Sequence, residues 1–139
     1  MYNLLAGAIM NQPENLESHG RHIILDYVGY TPQQEDDGNW ILGIMREVIA
    51  NSTATEVHSH VTQFDGSTSP LGFAAVVVLD ESHLSAHCYS ELGWLAIDCF
   101  TCGSADTESI VEELTDILQK QIPTLKATQR KTVERFLHD

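Results

Sequence analysis

Residues 22–30 (HIILDYVGY) are rich in β-branched and aromatic side chains and stop at Thr31-Pro32, which predicts a strand. Beyond the acidic turn Glu35-Asp36-Asp37-Gly38, apolar residues fall at positions 40, 41, 44, 45, 48 and 49. That spacing is one face of an amphipathic helix, with Asn39 as its expected N-cap. Residues 55–63 (TEVHSHVTQ) read as a second strand, and 64–71 (FDGSTSPL) as a turn-rich loop. Residues 72–79 carry the nearly unbroken apolar run FAAVVVL, the mark of a strand buried on both faces. Two shorter strands, 83–88 and 94–100, flank the hairpin Ser90-Glu91-Leu92-Gly93. Residues 106–121 place Ile110, Val111, Leu114, Ile117 and Leu118 on one side of a second helix, which Pro123 ends. The tail, 124–136, reads as a final strand.

This order predicts an α+β fold: a mostly antiparallel sheet with two helices on one face, a two-layer sandwich. The sheet face that two helices leave uncovered is a candidate dimer surface. At 139 residues the chain has room for one domain, expected over 20–139, with 1–19 as an N-terminal extension. A content of 42% hydrophobic and 19% charged residues is that of a globular chain rather than a disordered one. No apolar run reaches the ~18 residues a membrane-spanning helix needs. The apolar stretch around Leu4, Leu5, Ile9 and Met10 lacks the basic opening of a secretory signal, so a cytoplasmic location is expected.

Charge narrows the partners. Twenty acidic against seven basic side chains give a net charge of −13. Clustered Lys and Arg for a phosphate backbone are not available, so a nucleic-acid partner is not expected. Cationic ligands are favoured at long range. The three cysteines, Cys88, Cys99 and Cys102, are an odd count that argues against a disulfide framework and leaves free thiols to explain.

Reactive side chains crowd into one region: Asp80-Glu81-Ser82-His83, then His87-Cys88, Glu91, and Asp98-Cys99-Phe100-Thr101-Cys102-Gly103. Singly, each cysteine is explained as a small core residue and each histidine as a strand residue. Their density calls for another reason. His58 and His60 form an H-x-H pair, and Cys99 and Cys102 a C-x-x-C, but without a second C-x-x-C the zinc signal is weak and no metal is expected.

The segments DESHLSAH and CYSELGWLAIDCFTCG resemble the central signature of the prokaryotic S-adenosylmethionine decarboxylases. That signature has an ESH segment, a His five residues beyond its Ser, a Glu four further on, and a terminal FTCG. Gly20-Arg21-His22, leading into a strand, looks like the start of the same domain. The resemblance implies a chain that breaks its own backbone between Glu81 and Ser82. Ser82 becomes a pyruvoyl group, the electron sink that no ordinary side chain provides, and forms a Schiff base with the substrate amine. It further implies that His87 is the acid–base group of maturation and Cys102 the proton donor. Glu91 would bind the ribose hydroxyls, and Phe64 is the candidate to stack on adenine. The implied substrate is S-adenosylmethionine, its product feeds spermidine synthesis, and the implied assembly is a homodimer of cleaved chain pairs.

Two positions depart from the family pattern. A hydroxyl residue usually stands eight positions before the cleavage-site Ser, where this chain has Ala74; Ser85, Thr101 or a water would have to substitute. His87-Cys88-Tyr89-Ser90-Glu91 replaces the common His-Thr-Trp-Pro-Glu. These departures motivate two alternatives: a pyruvoyl-dependent decarboxylase of ornithine or arginine, or an unprocessed regulatory paralogue.

Overall fold

In a computed structural model, which describes residues 16–139, the chain opens with β1 (Glu17–Val28) and α1 (Asp37–Ala50). The strands β2 (Glu56–Phe64), β3 (Gly72–Leu79), β4 (Ser82–Tyr89) and β5 (Trp94–Cys102) follow. The helix α2 (Thr107–Gln121) and the strand β6 (Lys126–His138) complete it. The six strands form one sheet in the order β2-β3-β4-β5-β1-β6, with every neighbouring pair antiparallel. Both helices cover the same face. The α+β sandwich expected from the sequence is the observed architecture.

Period-2 alternation explains how the core is built. Ile23, Leu25 and Tyr27 of β1, Leu84, Ala86 and Cys88 of β4, and Leu95, Ile97 and Cys99 of β5 all point to the helix side and are buried. Ile41, Met45, Val48 and Ile49 of α1 meet them, with Ile110, Val111, Leu114 and Leu118 of α2. The intervening strand residues point to the uncovered face. There Val78, Tyr89, Trp94 and Val133 are 37–50% exposed or close to it, an apolar surface without a covering layer.

Several boundaries differ from expectation for local reasons. The expected N-terminal extension over residues 1–19 falls partly outside the described residues. Its last part, from Glu17, is strand, because β6 extends to His138 and pairs with it. Asp36, not Asn39, caps α1. The Asp36 carboxylate accepts from Asn39 N at 3.3 Å and from Asn39 Nδ2 at 2.8 Å, the N-cap role that an Asp before the first turn favours. Asp37, which the sequence places in an acidic turn, is a helix residue only 3% exposed. Among the described residues no helix is long and apolar enough to cross a membrane.

Candidate active site

The chain reverses between β3 and β4 through only two residues, Asp80 and Glu81, since Leu79 and Ser82 are register partners. Glu81 adopts φ of 65°, the left-handed region that glycine tolerates and a side chain enters at a cost of about 1 kcal/mol or more. Ser82 follows at once, half-buried, and its Oγ accepts a hydrogen bond from Cys102 N at 2.9 Å. One bond therefore joins the first residue of β4 to the last of β5. The Cys102 side chain is 9% exposed. Burial pushes its thiol above the ordinary range and the Glu81 charge adds to this, while the Ser82 hydroxyl and Arg135 pull it back. A thiol shifted upward stays protonated at neutral pH.

His87, Phe64 and Glu91 lie elsewhere. From Ser82 to Tyr89, β4 keeps an unbroken register with β3, and from His83 onward with β5. The bend needed to bring Ser82 and His87 together is absent from this ladder, and five residues of strand separate them by roughly 17 Å. His87 is exposed on the uncovered face, in one row with Ala74 and Thr62. Phe64, the last residue of β2, shares a depression with His87 and Tyr89. Glu91 sits in the β4–β5 turn and lines a cleft with Asp37. The sheet thus carries two groups: Ser82 with Cys102 at one end, and Phe64, His87 and Glu91 toward the other.

The candidate substitutes for the hydroxyl missing at Ala74 separate on geometry. Thr101 points to the helix side, where it is 2% exposed and bonded to Thr107 and to Ala105 O. Ser85 lines the same open depression as Ala74, Ser82 and His87. Thr62, which the sequence does not single out, stands directly across from Ala74. The C-x-x-C is split between faces, with Cys99 buried in the core and its thiol pushed up to about 12 by that burial. Among the described residues no group of three His, Cys, Asp or Glu is placed to hold a metal ion. His60 instead bonds Thr62 at 3.0 Å.

A family model for S-adenosylmethionine decarboxylase matches residues 21–131. The chain belongs to that family. It is 42% identical over 86 residues to the S-adenosylmethionine decarboxylase proenzyme of Symbiobacterium thermophilum, covering 62% of this chain and 62% of that protein. The stretch matched there is thus less than two thirds of the relative's own length. The proenzyme of Pyrococcus horikoshii is 30% identical over 116 residues, covering 83% of this chain and 81% of the relative. In three dimensions the chain is similar to the crystal structure of the adenosylmethionine decarboxylase from Aquifex aeolicus, with a TM-score of 0.68 at 25% identity. That match spans 88% of this chain and 95% of the other.

A polar cluster lies under the turn that carries Glu91 in this member of the S-adenosylmethionine decarboxylase family. The Ser90 hydroxyl donates to Asp37 Oδ2 at 2.9 Å. The same oxygen accepts from Tyr30 OH at 3.0 Å, and Asp37 Oδ1 accepts from Gln63 Nε2 at 2.9 Å. Burial, and then the Asp37 charge, raise the Tyr30 phenol above its ordinary value. Burial likewise pushes the Cys88 thiol up to about 12. A buried carboxylate with three donors fixes whatever those donors belong to. Here they belong to β1's exit, β2 and the turn that carries Glu91. Only the DDG acidity marked Asp37 in the sequence, and acidity alone does not announce burial. Replacing Asp37 by Ala strands the buried Tyr30 hydroxyl and frees the more exposed Gln63 and Ser90, and is expected to cost roughly 2 kcal/mol or more, against about 1 kcal/mol for Ser90→Ala, by thermal unfolding.

Proposed function

We propose that the chain is the proenzyme of a cytoplasmic, pyruvoyl-dependent S-adenosylmethionine decarboxylase. It cuts itself between Glu81 and Ser82, then removes the carboxyl group of S-adenosylmethionine to give the aminopropyl donor of polyamine synthesis. The observation that carries this is the Ser82 hydroxyl, bonded at 2.9 Å to Cys102 N just beyond a left-handed Glu81. The bond from Cys102 N holds Ser82 Oγ in one orientation at the end of the turn. Attack by that oxygen on the Glu81 carbonyl turns the amide into an ester; elimination then frees residue 81 as a new C-terminal carboxylate and leaves residue 82 as a dehydroalanine, in which water replaces the nitrogen with release of ammonia to give the ketone. Backbone strain at Glu81 is relieved as the bond breaks, so it lowers the barrier to the cut.

The residues present fit a pyruvoyl group made in place: a hydroxyl precursor, a fixed N–H beside it and a protonated thiol next door. When formed, that group supplies the ketone that captures the substrate amine and the electron sink that departing CO2 requires. Cys102 then delivers its proton to the substrate carbon. Its raised pKa suits that role, because the thiol is the form that donates.

The other half of the site reaches Ser82 from a second copy. Phe64, His87 and Glu91 lie too far along the sheet to serve the same protomer's Ser82, by roughly 17 Å or more. Two copies stacked through their uncovered faces, strands running in opposite senses, set one protomer's Ser82 and Cys102 over its partner's His87 and Glu91. Glu91 then takes the ribose hydroxyls and Phe64 the adenine face. The replaced Cys88-Tyr89-Ser90 segment favours one second reading, a smaller cationic amino acid such as ornithine or arginine in place of the nucleoside. Turnover of the three substrates side by side separates them.

Intact-mass analysis of the purified chain is expected to show two polypeptides, residues 1–81 and a carbonyl-capped 82–139, with Ser82→Ala remaining whole. A wild-type chain recovered uncut and inactive would instead mark a regulatory paralogue. Cys102→Ala is expected to cleave and yet release CO2 roughly 10²- to 10⁴-fold more slowly. In wild type, turnover falls as pH rises through the Cys102 pKa, which lies above the ordinary thiol range, because the proton is then lost before it is needed. Co-expression of Ser82→Ala and Glu91→Gln chains, each inactive alone, is expected to restore about a quarter of wild-type activity, since half the dimers then hold one complete site of two.

A further inference from the structure

Cys102, Gly20 and Arg135 stand in one row across β5, β1 and β6. Neighbouring strands are about 4.8 Å apart, so about 10 Å of sheet separates the outer two backbones. Gly20 leaves that interval without a side chain. A Cβ there would lie 2.9 Å from Phe100 Cε1 and 3.1 Å from Cys102 Sγ, so glycine is what lets those two groups close over the row.

Arg135 occupies the interval from the far side. Its guanidinium carbon is 5.1 Å from the centre of the Phe100 ring and 5.9 Å from that of Phe136. An Arg135 N–H donates to His22 Nδ1 at 3.2 Å, which leaves the His22 proton on Nε2, a buried atom without a hydrogen-bond partner among the described residues. Consecutive strand residues point to opposite faces. Arg135 and Phe136 nevertheless both reach Phe100, the two rings 6.0 Å apart, because Phe136 takes φ of 55°. A bulky residue enters that region only at a cost. Two mutually tilted rings, a histidine and a strained backbone thus hold one guanidinium in place.

No acid claims it. Arg21, Arg46, Lys120 and Arg130 each have a carboxylate within 4.0 Å; Lys126, Lys131 and Arg135 have none among the described residues, and of these three only Arg135 is half-buried. In a chain of net charge −13 an Arg left without an acid is an open place for an outside anion. We infer that Arg135 is the subsite for the α-carboxylate of the amino-acid substrate, gripped as a guanidinium–carboxylate pair beside Ser82 and Cys102. This rests on the decarboxylase reading above; Arg135 itself lies beyond residues 21–131 matched by the family model.

The carboxylate is what the substrate has and the decarboxylated product lacks. Arg135 therefore tells the two apart, retaining the first and releasing the second. The pair is made in the ground state and dissolves as CO2 leaves, so losing it raises KM and leaves kcat nearly unchanged. The test compares self-cleaved wild type with Arg135→Gln, measuring KM and kcat for S-adenosylmethionine and the inhibition constant of its decarboxylated product. Arg135→Gln is expected to raise KM roughly ten- to a hundredfold while the product's inhibition constant moves less than about twofold. Arg135→Lys, which keeps the charge and loses the fork, is expected to fall between, and it carries the same comparison should the Gln variant fail to fold or cleave. Equal shifts in KM and product inhibition, or an unmoved KM, overturn the inference alone. A wild type that cleaves but releases no CO2 overturns the decarboxylase reading and this subsite with it.

Discussion

Antiparallel pairing of β4 with both of its neighbours is the constraint on which the site depends. A strand bonded on two sides cannot bend without losing ladder hydrogen bonds, so residues along β4 stay about 3.3 Å apart and alternate between faces. Ser82 is pinned at one end beside Cys102, and Glu91 is carried past the other. The rigidity that fixes Ser82 Oγ against Cys102 N is therefore the same rigidity that denies it His87. A small sandwich with only two helices leaves one sheet face bare, and Ser82 and His87 line the same depression on it. Val78, Tyr89, Trp94 and Val133 stay exposed on that face, an apolar surface of the kind that self-association covers.

Charge is distributed with the same economy. An excess of carboxylates over the whole chain attracts cationic groups from a distance and repels carboxylates up close. Most of the few cations are paired on exposed surfaces, where such pairs contribute little. Lys126, Lys131 and Arg135 have no acid within 4.0 Å among the described residues, and of these Arg135 alone is half-buried, with Phe100, Phe136 and His22 around it. The sheet row through Gly20 places this cation near the Ser82 end, where an incoming carboxylate has to be tolerated.

Much of this was legible in the chain. The 3.6-residue spacing from Trp40 to Ile49 and from Ile110 to Leu118 marked the helices, and the FAAVVVL run marked β3. The expectation that this strand is buried on both faces fails, because the helices cover one face only and Val78 on the other is 38% exposed. The ESH and FTCG segments marked Ser82 and Cys102, and the structure sets them side by side. What the residues did not disclose was long-range register. Ser82 and His87 are close in sequence yet far apart in space, whereas Cys102 and Arg135 are distant in sequence and share a row. Asp37 was unreadable for a different reason. An acidic run looks solvated unless one knows that Tyr30, Gln63 and Ser90 converge on one of its members. The cap of α1 slipped from Asn39 to Asp36 because either residue suits the role and only the path of the turn decides between them.

Strain is placed at one end of the sheet. Among the described residues only Glu81 and Phe136 are non-glycine residues with positive φ, and both lie at the Ser82 end of the sheet. His19 touches each, 3.6 Å from Glu81 and with ring centres 6.4 Å from Phe136. Neither conformation is favourable by itself, so each persists because flanking ladder pairs over-determine it. At Glu81 the reversal from β3 into β4 leaves only two residues for the turn. At Phe136 the pairing of β6 with β1 resumes beyond the kink at Leu137 and His138. A sheet that ended short of either point would let these residues relax and would lose both a stressed peptide bond and a fixed guanidinium. The extra residues of β1 before His22, which the sequence pattern did not mark as strand, hold β6 in place at that end.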